Sequence, residues 1–147
     1  MTRSRERGIT LLELMTVVMI IGVLASIAIP SYRGYLLRAQ RSDATAALLR
    51  VAAAQEKFYL QNNRYATQAQ MGLGPPAGLG IQGTERGYYT LALASVDTSL
   101  DFTVTATPTA LGPQSSDSPC TSFTINQQGT RGAKNSANAP NTETCWR

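Results

Sequence analysis

Apolar residues follow three different patterns along the chain. Residues 9–29, ITLLELMTVVMIIGVLASIAI, form an almost unbroken apolar run. As an α-helix this run is about 31 Å long, close to the ~30 Å thickness of the hydrocarbon core of a bilayer. Because the run is apolar on all sides, it predicts a membrane-spanning segment rather than an amphipathic surface helix.

Helical character continues through residues 31–62, which are rich in the helix formers Ala, Leu, Gln and Arg. An apolar stripe at spacings of three and four predicts an amphipathic helix with one face covered by a domain. The stripe consists of Tyr35, Leu36, Ala39, Ala47, Leu48, Val51, Gln55, Phe58 and Tyr59. We expect the charged residues of this segment mostly to face solvent. This expectation applies to Arg38, Arg41, Asp43 and Arg50.

The pattern changes again after Asn63. Residues 63–87 are rich in Gly, Pro and Asn and predict a loop. Three runs with period-two alternation follow, at Tyr88–Ala94, Phe102–Thr107 and Ser122–Asn126, and they predict strands with one buried face. Short connections favour an antiparallel sheet. The sequence therefore predicts an α+β fold, with a long N-terminal helix packed on a small sheet within residues 88–147.

Two residues interrupt the helical pattern. Gly22 weakens a helix by about 1 kcal/mol relative to Ala. Pro30 has no N–H to donate and its ring clashes with the preceding turn, so we expect a kink there. Both residues are also compatible with simple tolerance of Gly and Pro in a membrane helix.

Glu13 is the one charged residue inside the apolar run. A carboxylate in a membrane segment costs on the order of a few kcal/mol and usually faces a partner. Two ordinary interpretations of the segment are a secretory signal peptide cleaved near Ser26–Ala28 and an uncleaved signal anchor. Neither interpretation explains a carboxylate at Glu13, so we expect this residue to be functional.

The basic leader before the run supplies a partner for Glu13. The leader, MTRSRERG, ends at Gly8. Cleavage between Gly8 and Ile9 would create an α-amine four residues before Glu13. An ammonium and a carboxylate can offset each other's desolvation, within one helix or between neighbouring subunits, where the pair would fix the axial register.

The string Gly8-Ile9-Thr10-Leu11-Leu12-Glu13 resembles the prepilin signal of type IV pilins, type II secretion pseudopilins and related competence proteins, with Ile9 in place of the usual Phe. The resemblance implies that a prepilin peptidase removes residues 1–8 after Gly8. It also implies that Ile9 is then N-methylated and that Glu13 directs docking of the subunit into a filament.

The same resemblance assigns roles to the rest of the chain. Residues 9–30 would be the transmembrane and assembly helix, in which the stretch from Gly22 to Pro30 would melt when pili assemble. Residues 31–62 would be the amphipathic helix and 63–87 the αβ-loop. Residues 88–147 would hold the sheet and a disulfide-bounded D-region. The strings at 55–67, 120–133 and Cys145-Trp146 resemble PilE-like minor pilins of type IVa pili.

Composition further limits the functional classes that the sequence favours. The chain has 147 residues, of which 43% are hydrophobic and 15% charged, and it contains no histidine, the commonest general base and metal ligand. Its two cysteines, Cys120 and Cys145, together with an export-type N-terminus, favour a disulfide formed in an oxidising compartment. We expect no enzymatic activity, no metal and no cofactor. Gly78–Gly83 is a literal GxGxxG, but it lies in the predicted loop rather than between a strand and a helix.

Two smaller features remain. Asp97 and Asp101 bracket a predicted hairpin turn and are expected to be turn residues. Arg131, Lys134 and Arg147 form a candidate basic patch, whose three charges attract phosphate only weakly.

The sequence thus favours a structural minor pilin that contributes to the initiation or assembly of a pilus serving adhesion and twitching motility. A major pilin and a type II secretion pseudopilin are alternatives within the class. A DNA-receptor pilin for natural transformation is an alternative of another class, and a periplasmic enzyme with a cleaved signal is a remote one. The expected partners are other pilin subunits, the prepilin peptidase, the inner membrane and the assembly machinery. The precursor would be single-pass in the inner membrane with its C-terminus periplasmic, before joining the extracellular pilus.

Overall fold

The computed structural model describes residues 10–147, so Gly8 and Ile9 lie outside the described residues. Its dominant element is α1, a helix of 52 residues from Leu11 to Asn62. Thr10 caps the start, because its Oγ1 accepts the Glu13 N–H at 3.2 Å. The helix ends at Asn62, and the next residue, Asn63, adopts a left-handed conformation with φ 52° and donates its N–H to the Tyr59 carbonyl at 2.8 Å.

The chain divides into two compact units between Leu36 and Leu37. In the described part of the first unit, α1 is the only regular element. In the second unit α1 buries one face, and its buried residues are Arg41, Asp43, Ala44, Ala47, Leu48, Val51, Gln55 and Phe58. The predicted stripe is therefore confirmed from Ala47 to Phe58, whereas Tyr35 and Ala39 are exposed.

A four-stranded antiparallel sheet lies in the second unit, with strand order β1-β2-β3-β4. Its strands are β1 (Tyr89–Ala94), β2 (Thr103–Pro108), β3 (Ser122–Asn126) and β4 (Arg131–Lys134). Two short helices, α2 (Gln68–Met71) and α3 (Thr142–Cys145), and a 3-10 turn at Pro113–Ser116 complete the unit. The predicted α+β fold, with a long helix and an antiparallel sheet, is confirmed.

The core forms where one face of the sheet meets α1. Residues of alternate positions face it, with Val104 paired to Ile125 and Ala106 paired to Phe123 in the β2–β3 register. All four of these side chains are at most 3% exposed. The three predicted strands are confirmed to within a residue at their starts, and the period-two alternation accounts for which residues of each strand face the core.

The fourth strand was not predicted. In Arg131-Gly132-Ala133-Lys134 only Ala133 is buried, so the strand lacks the apolar alternation that identifies the others. Tertiary pairing with β3, Phe123 opposite Ala133, defines it instead.

Side chains and a backbone segment cap part of each edge of the sheet. At the β1 edge, the Leu93 N–H donates to Gln68 Oε1 at 2.6 Å. At the β4 edge, the Ala133 N–H donates to Thr142 Oγ1 at 3.0 Å, and its carbonyl accepts the Asn141 N–H at 2.9 Å. Backbone groups that would otherwise be free to pair with another strand are thereby occupied.

Candidate functional site

The first part of α1 presents a continuous apolar surface. From Leu11 to Ile29 its large apolar side chains are 49–80% exposed. Within residues 10–147, α1 is the one helix long and apolar enough to cross a membrane. This surface needs an apolar environment outside its own chain, either lipid or the helices of other subunits.

The polar side chains on this surface differ in whether they find a hydrogen-bond partner within the helix. The hydroxyls of Thr16 and Ser26 donate within the helix, to the Glu13 carbonyl at 2.8 Å and the Val23 carbonyl at 2.7 Å. Such bonds satisfy a hydroxyl in lipid without any partner from outside the helix. The Glu13 side chain, in contrast, is an exposed carboxylate in the first turn, so a counter-ion from outside the described residues would lower its cost of burial.

Gly22 and Pro30 both lie inside α1, which continues through them. A Cβ built on Gly22 would meet nothing within 4 Å, so packing inside the chain does not require glycine at this position. Their role in kinking or melting stays a prediction.

The predicted disulfide is confirmed. Cys120 and Cys145 are bonded, with their Cα atoms 5.8 Å apart, and neither side chain is exposed. The bond joins the residues before β3 to the C-terminal helix α3. Next to it, the Trp146 Nε1–H donates to the Gly132 carbonyl at 2.8 Å, which ties the C-terminus to β4.

A buried ion pair lies at the end of the second unit where α1 enters it. Arg41 Nε donates to Asp117 Oδ2 at 2.7 Å, and Arg41 Nη2 donates to Asp117 Oδ1 at 2.8 Å. This bidentate arrangement is among the strongest charge-assisted hydrogen bonds. Arg41 Nη1 also donates to the Thr144 carbonyl at 3.4 Å, so one guanidinium joins α1, the β2–β3 connection and α3.

A buried glutamine extends this network. Gln114 Nε2 donates to Gln40 Oε1 at 2.7 Å and to the Leu37 carbonyl at 3.3 Å. The Tyr89 hydroxyl donates to Gln114 Oε1 at 2.8 Å. Burial raises the pKa of Tyr89, and the negative charge of Asp117 raises this pKa further. Every buried side-chain polar atom in the described part of the chain has a hydrogen-bond partner.

The expectation that the charged residues of this helix face outward is wrong for two of them. Arg38 and Arg50 are exposed, but Arg41 and Asp43 are 7% and 8% exposed. Asp43 accepts the backbone N–H groups of Arg86 at 3.2 Å and Tyr88 at 3.4 Å, which anchors the start of β1. A signal was present: Arg41 continues the spacing of the buried stripe, three residues before Ala44 and seven before Leu48.

The three candidate basic residues do not share one face of the sheet. Arg131 and Lys134 are three apart on β4, so they point to opposite faces of the sheet. Arg131 lies over the Trp146 ring, with its guanidinium carbon 5.1 Å from the ring centroid, in a cation–π contact. Lys134 and Arg147 are exposed. The stack of Arg131 on Trp146 is the part of the predicted patch that has a defined geometry.

Asp97 and Asp101 are confirmed as turn residues of the β1–β2 hairpin. Asp97 Oδ1 accepts both the N–H and the hydroxyl of Ser99, at 2.8 and 2.6 Å, and these bonds lower the pKa of Asp97. Asp101 Oδ1 accepts the Val96 N–H at 3.0 Å and the Ser95 hydroxyl at 2.9 Å. These carboxylates hold the loop in one conformation.

Comparison with known proteins gives two family matches. Residues 30–124 match the family described as "Type IV minor pilin ComP, DNA uptake sequence receptor". Residues 3–29 match the family described as "Prokaryotic N-terminal methylation motif". The first match spans more than half of the chain, and the second contains Gly8, Ile9 and Glu13. The chain belongs to the type IV pilin family. Within that family, residues 30–124 are similar to the group that contains the minor pilin ComP.

Individual relatives agree with this assignment. The chain is 43% identical over 75 residues to the type IV major pilin protein PilA of Myxococcus xanthus, which covers 50% of this chain and 34% of PilA. It is 41% identical over 66 residues to the type II secretion system core protein G of Pectobacterium carotovorum, which covers 45% of this chain and 42% of that protein. The aligned regions thus span less than half the length of either relative.

One solved structure supports the fold. The Neisseria meningitidis non-core minor pilin PilV superimposes with a TM-score of 0.54 and 23% sequence identity, covering 71% of this chain and 93% of PilV. At this identity the similarity establishes a shared fold alone.

Proposed function

We propose that this chain is a minor pilin, a structural subunit that is processed from a membrane-inserted precursor and built into a type IV pilus. The observation that carries the proposal is the surface of α1 before Leu37: apolar, exposed along its length, and bearing one carboxylate, Glu13, in its first turn. A lone membrane anchor has no use for that carboxylate. A helix that packs among copies of itself can pair it with the new terminal amine of Ile9.

Processing is the first step of the proposal. With residues 1–8 in the cytoplasm and residues 31–147 in the periplasm, the prepilin peptidase cuts after Gly8. The amine of Ile9 is methylated and keeps its positive charge. Thr10, which caps α1, is then the second residue of the mature chain. The helix dipole disfavours a positive charge at the start of a helix, so pairing of the new amine with a carboxylate such as Glu13 would offset that cost.

Glu13→Ala tests this step. The variant should be cleaved normally and should insert in the membrane, but its share in sheared filaments should fall below detection. Leu12→Ala, which truncates a 74% exposed apolar side chain on the same turn without removing a charge, is the matched comparison and should reduce incorporation far less. Mass spectrometry of purified surface fibres and N-terminal sequencing give the readout. Normal incorporation of Glu13→Ala, or a mature chain starting at Ile29, would contradict the proposal.

The abundance of the subunit in those fibres separates the alternatives. A trace amount supports a minor pilin, and a dominant amount identifies a major pilin. Deletion of the gene that abolishes protein secretion but leaves piliation intact identifies a pseudopilin, an alternative favoured by the similarity to type II secretion core protein G.

A second candidate function is DNA reception. The specific observation in its favour is the match of residues 30–124 to a family described as a DNA uptake sequence receptor. This match ends in β3, before Arg131, Lys134 and Arg147. If the chain binds DNA, the Arg131–Trp146 stack offers a cation beside an aromatic face, a combination found in nucleic-acid contacts.

Binding of duplex DNA at several salt concentrations tests this candidate. Joint replacement of Arg131, Lys134 and Arg147 by Gln should weaken binding and reduce the slope of log K against log salt by up to about 3. The control is Lys57→Gln with Arg64→Gln, two exposed basic residues outside the C-terminal region. Equal effects of the two sets of changes would refute a specific role for the C-terminal residues. Loss of transformation with intact pili after gene deletion would favour reception over assembly.

A further inference from the structure

Arg41 contacts both of the chain segments that carry the cysteines. Its Nε and Nη2 donate to the two carboxylate oxygens of Asp117, which lies three residues before Cys120. Its Nη1 donates to the carbonyl of Thr144, the residue immediately before Cys145. These contacts join residues that are 76 and 103 positions apart in sequence. One side chain of α1 therefore holds the two cysteine segments beside each other.

The backbone connects the ion pair to the first cysteine. The Cys120 N–H donates to the Asp117 carbonyl at 3.0 Å, so the residue that Arg41 binds through its carboxylate also fixes the turn that leads to the cysteine. Because Arg41 and Asp117 are 7% and 1% exposed, solvent screens their attraction little. A bidentate guanidinium–carboxylate pair fixes direction as well as distance. The Cys120 segment thus has a defined position on α1.

A second side chain also joins the two cysteine segments. Asn141 Nδ2 donates to the Pro119 carbonyl at 3.0 Å, in an exposed contact. Asn141 belongs to one of the two segments, so this bond forms only after the segments have met. Arg41 belongs to α1, an element outside both segments, and it can therefore hold each of them before they meet.

We propose that Arg41 is a positioning residue for formation of the Cys120–Cys145 disulfide. Its guanidinium docks the two cysteine segments on α1 while the thiols are still reduced, and the disulfide then locks them in place. This role differs from a contribution to the stability of the fold, because it acts on the reactivity of the two thiols. The inference concerns the single subunit and does not depend on the proposed filament function.

The step that Arg41 favours is the closure of the covalent ring. In an oxidising compartment, the thiolate of one cysteine attacks a disulfide oxidant, forms a mixed disulfide and releases one thiolate of the oxidant. The thiolate of the other cysteine then attacks the chain's own sulfur in the mixed disulfide, forms the Cys120–Cys145 bond and releases the second thiolate. The two cysteines thus give up two protons and two electrons, which convert the oxidant into two thiols. Only the second attack lies within the chain, so its rate depends on the alignment of the two segments.

Equilibration of the detergent-solubilised full-length chain with oxidised and reduced glutathione tests the proposal. The ratio of disulfide to dithiol, read after rapid alkylation with a maleimide, gives the effective concentration of one thiol at the other. Arg41→Met combined with Asp117→Leu removes the ion pair without leaving an unpaired charge. In this double variant the effective concentration should fall about tenfold, the scale of a coupling between groups in contact. The rate of ring closure should fall with it.

Val51→Ala separates positioning from general stability. Val51 is 0% exposed on the same helix, so its truncation lowers the free energy of unfolding. The oxidised and the reduced chain are destabilised alike, and the effective concentration should stay unchanged while both are folded. Arg50→Met, which removes an exposed ion pair with Glu85, should also leave it unchanged. Trp146 fluorescence checks that the reduced chain is folded.

Arg41→Lys is a second variant that keeps the charge beside Asp117. An ammonium cannot form the planar bidentate pair and reach the Thr144 carbonyl at the same time, so the effective concentration should again fall, by about threefold. An unchanged value in both Arg41 variants, an equal fall in Val51→Ala, or a reduced wild-type chain that is unfolded would overturn the proposal. In the last case the guanidinium could not hold the two segments before the thiols join.

Discussion

The helix α1 behaves as two different structures joined end to end. Up to Leu36, none of the described side chains in it is buried, although most are apolar. From Leu37 to Asn62 the helix contains eight buried residues, three of which are polar or charged. The apolar part is thus the exposed one, and the part with buried charge is the one that carries a folded domain.

The difference shows what each part depends on. Residues 37–62 acquire their packing partners from the same chain, so this part is stable when the subunit is alone. Residues 11–36 must find theirs in lipid or in other subunits, because an exposed apolar helix of this length is not stable in water. Substitutions in residues 37–62 should therefore change the stability of the isolated subunit against unfolding. Substitutions in residues 11–36 should instead change its assembly.

A core deletion should give the largest difference between the two parts. Phe123→Ala removes a side chain that is 0% exposed and should lower the free energy of unfolding by about 3–5 kcal/mol. Met19→Ala, at a side chain that is 69% exposed, should leave it unchanged. Denaturant unfolding of the detergent-solubilised chain, followed by Trp146 fluorescence, measures both. Similar losses for the two variants would contradict this division of α1.

Removal of one partner of the buried ion pair should come next. Asp117→Ala leaves the Arg41 guanidinium buried without its carboxylate and should cost at least about 3 kcal/mol. Replacing both partners, Arg41→Met with Asp117→Leu, should recover most of that loss, because neither side chain then carries a charge to desolvate. The same unfolding assay applies. A double variant as unstable as the single one would show that the pair stabilises the fold by more than mutual neutralisation.

Loss of the disulfide should have an effect of similar or slightly smaller size. The bond closes a loop with a sequence separation of 25, which corresponds to roughly 3 kcal/mol in the chain-entropy model. Joint replacement of Cys120 and Cys145 by Ser should lower stability by about that amount and weaken the attachment of α3. Thermal unfolding with and without reductant checks this, since reductant should destabilise the wild-type chain and leave the double variant unaffected.

The smallest expected effect concerns Tyr89 and pH. Tyr89→Phe removes the hydrogen bond to Gln114 and should cost about 1 kcal/mol near neutral pH. Because the pKa of Tyr89 is raised in the folded state, the folded chain holds this proton more tightly than the unfolded chain does. The stabilisation is therefore complete below the ordinary tyrosine pKa of about 10 and is lost as pH rises above it.

Unfolding measured between pH 9 and about 11 tests the titration. The wild-type chain should lose stability more steeply than Tyr89→Phe across this range. Some slope should remain in the variant, because burial and Glu56 also raise the pKa of Tyr65. Tyr32→Phe, which changes a tyrosine that is 63% exposed in the first part of α1, is the matched control and should leave the slope as it is.

Much of this architecture could be predicted from the sequence, because it is encoded in local periodicity. The continuous apolar run, the stripe from Ala47 to Phe58 and the alternation in β1, β2 and β3 each specify an element and its buried face. The cysteine pair could be predicted from its count and context. Each of these signals is contained in a short stretch of chain.

The features that were missed depend on residues far apart in sequence. Arg41 and Asp117 are 76 residues apart, and the burial of each makes sense only once the other is in place. Gln114 likewise lies in a connection between strands, and only its hydrogen bonds with the distant residues Tyr89 and Gln40 explain its burial. Charge in a helix normally indicates a face exposed to solvent. The spacing of Arg41 matches the buried stripe, but that spacing does not identify the carboxylate that pairs with it.

The caps on the two edges of the sheet bear on how copies of this subunit coexist at high density. With the Leu93 N–H bound to Gln68 and the Ala133 N–H bound to Thr142, each edge of the sheet offers fewer free backbone donors to the amyloid-like ladders that could form with a neighbouring sheet. In the proposed filament, contacts between copies would then rest mainly on side chains. An assembly joined in this way can be taken apart one molecule at a time, with each sheet leaving intact.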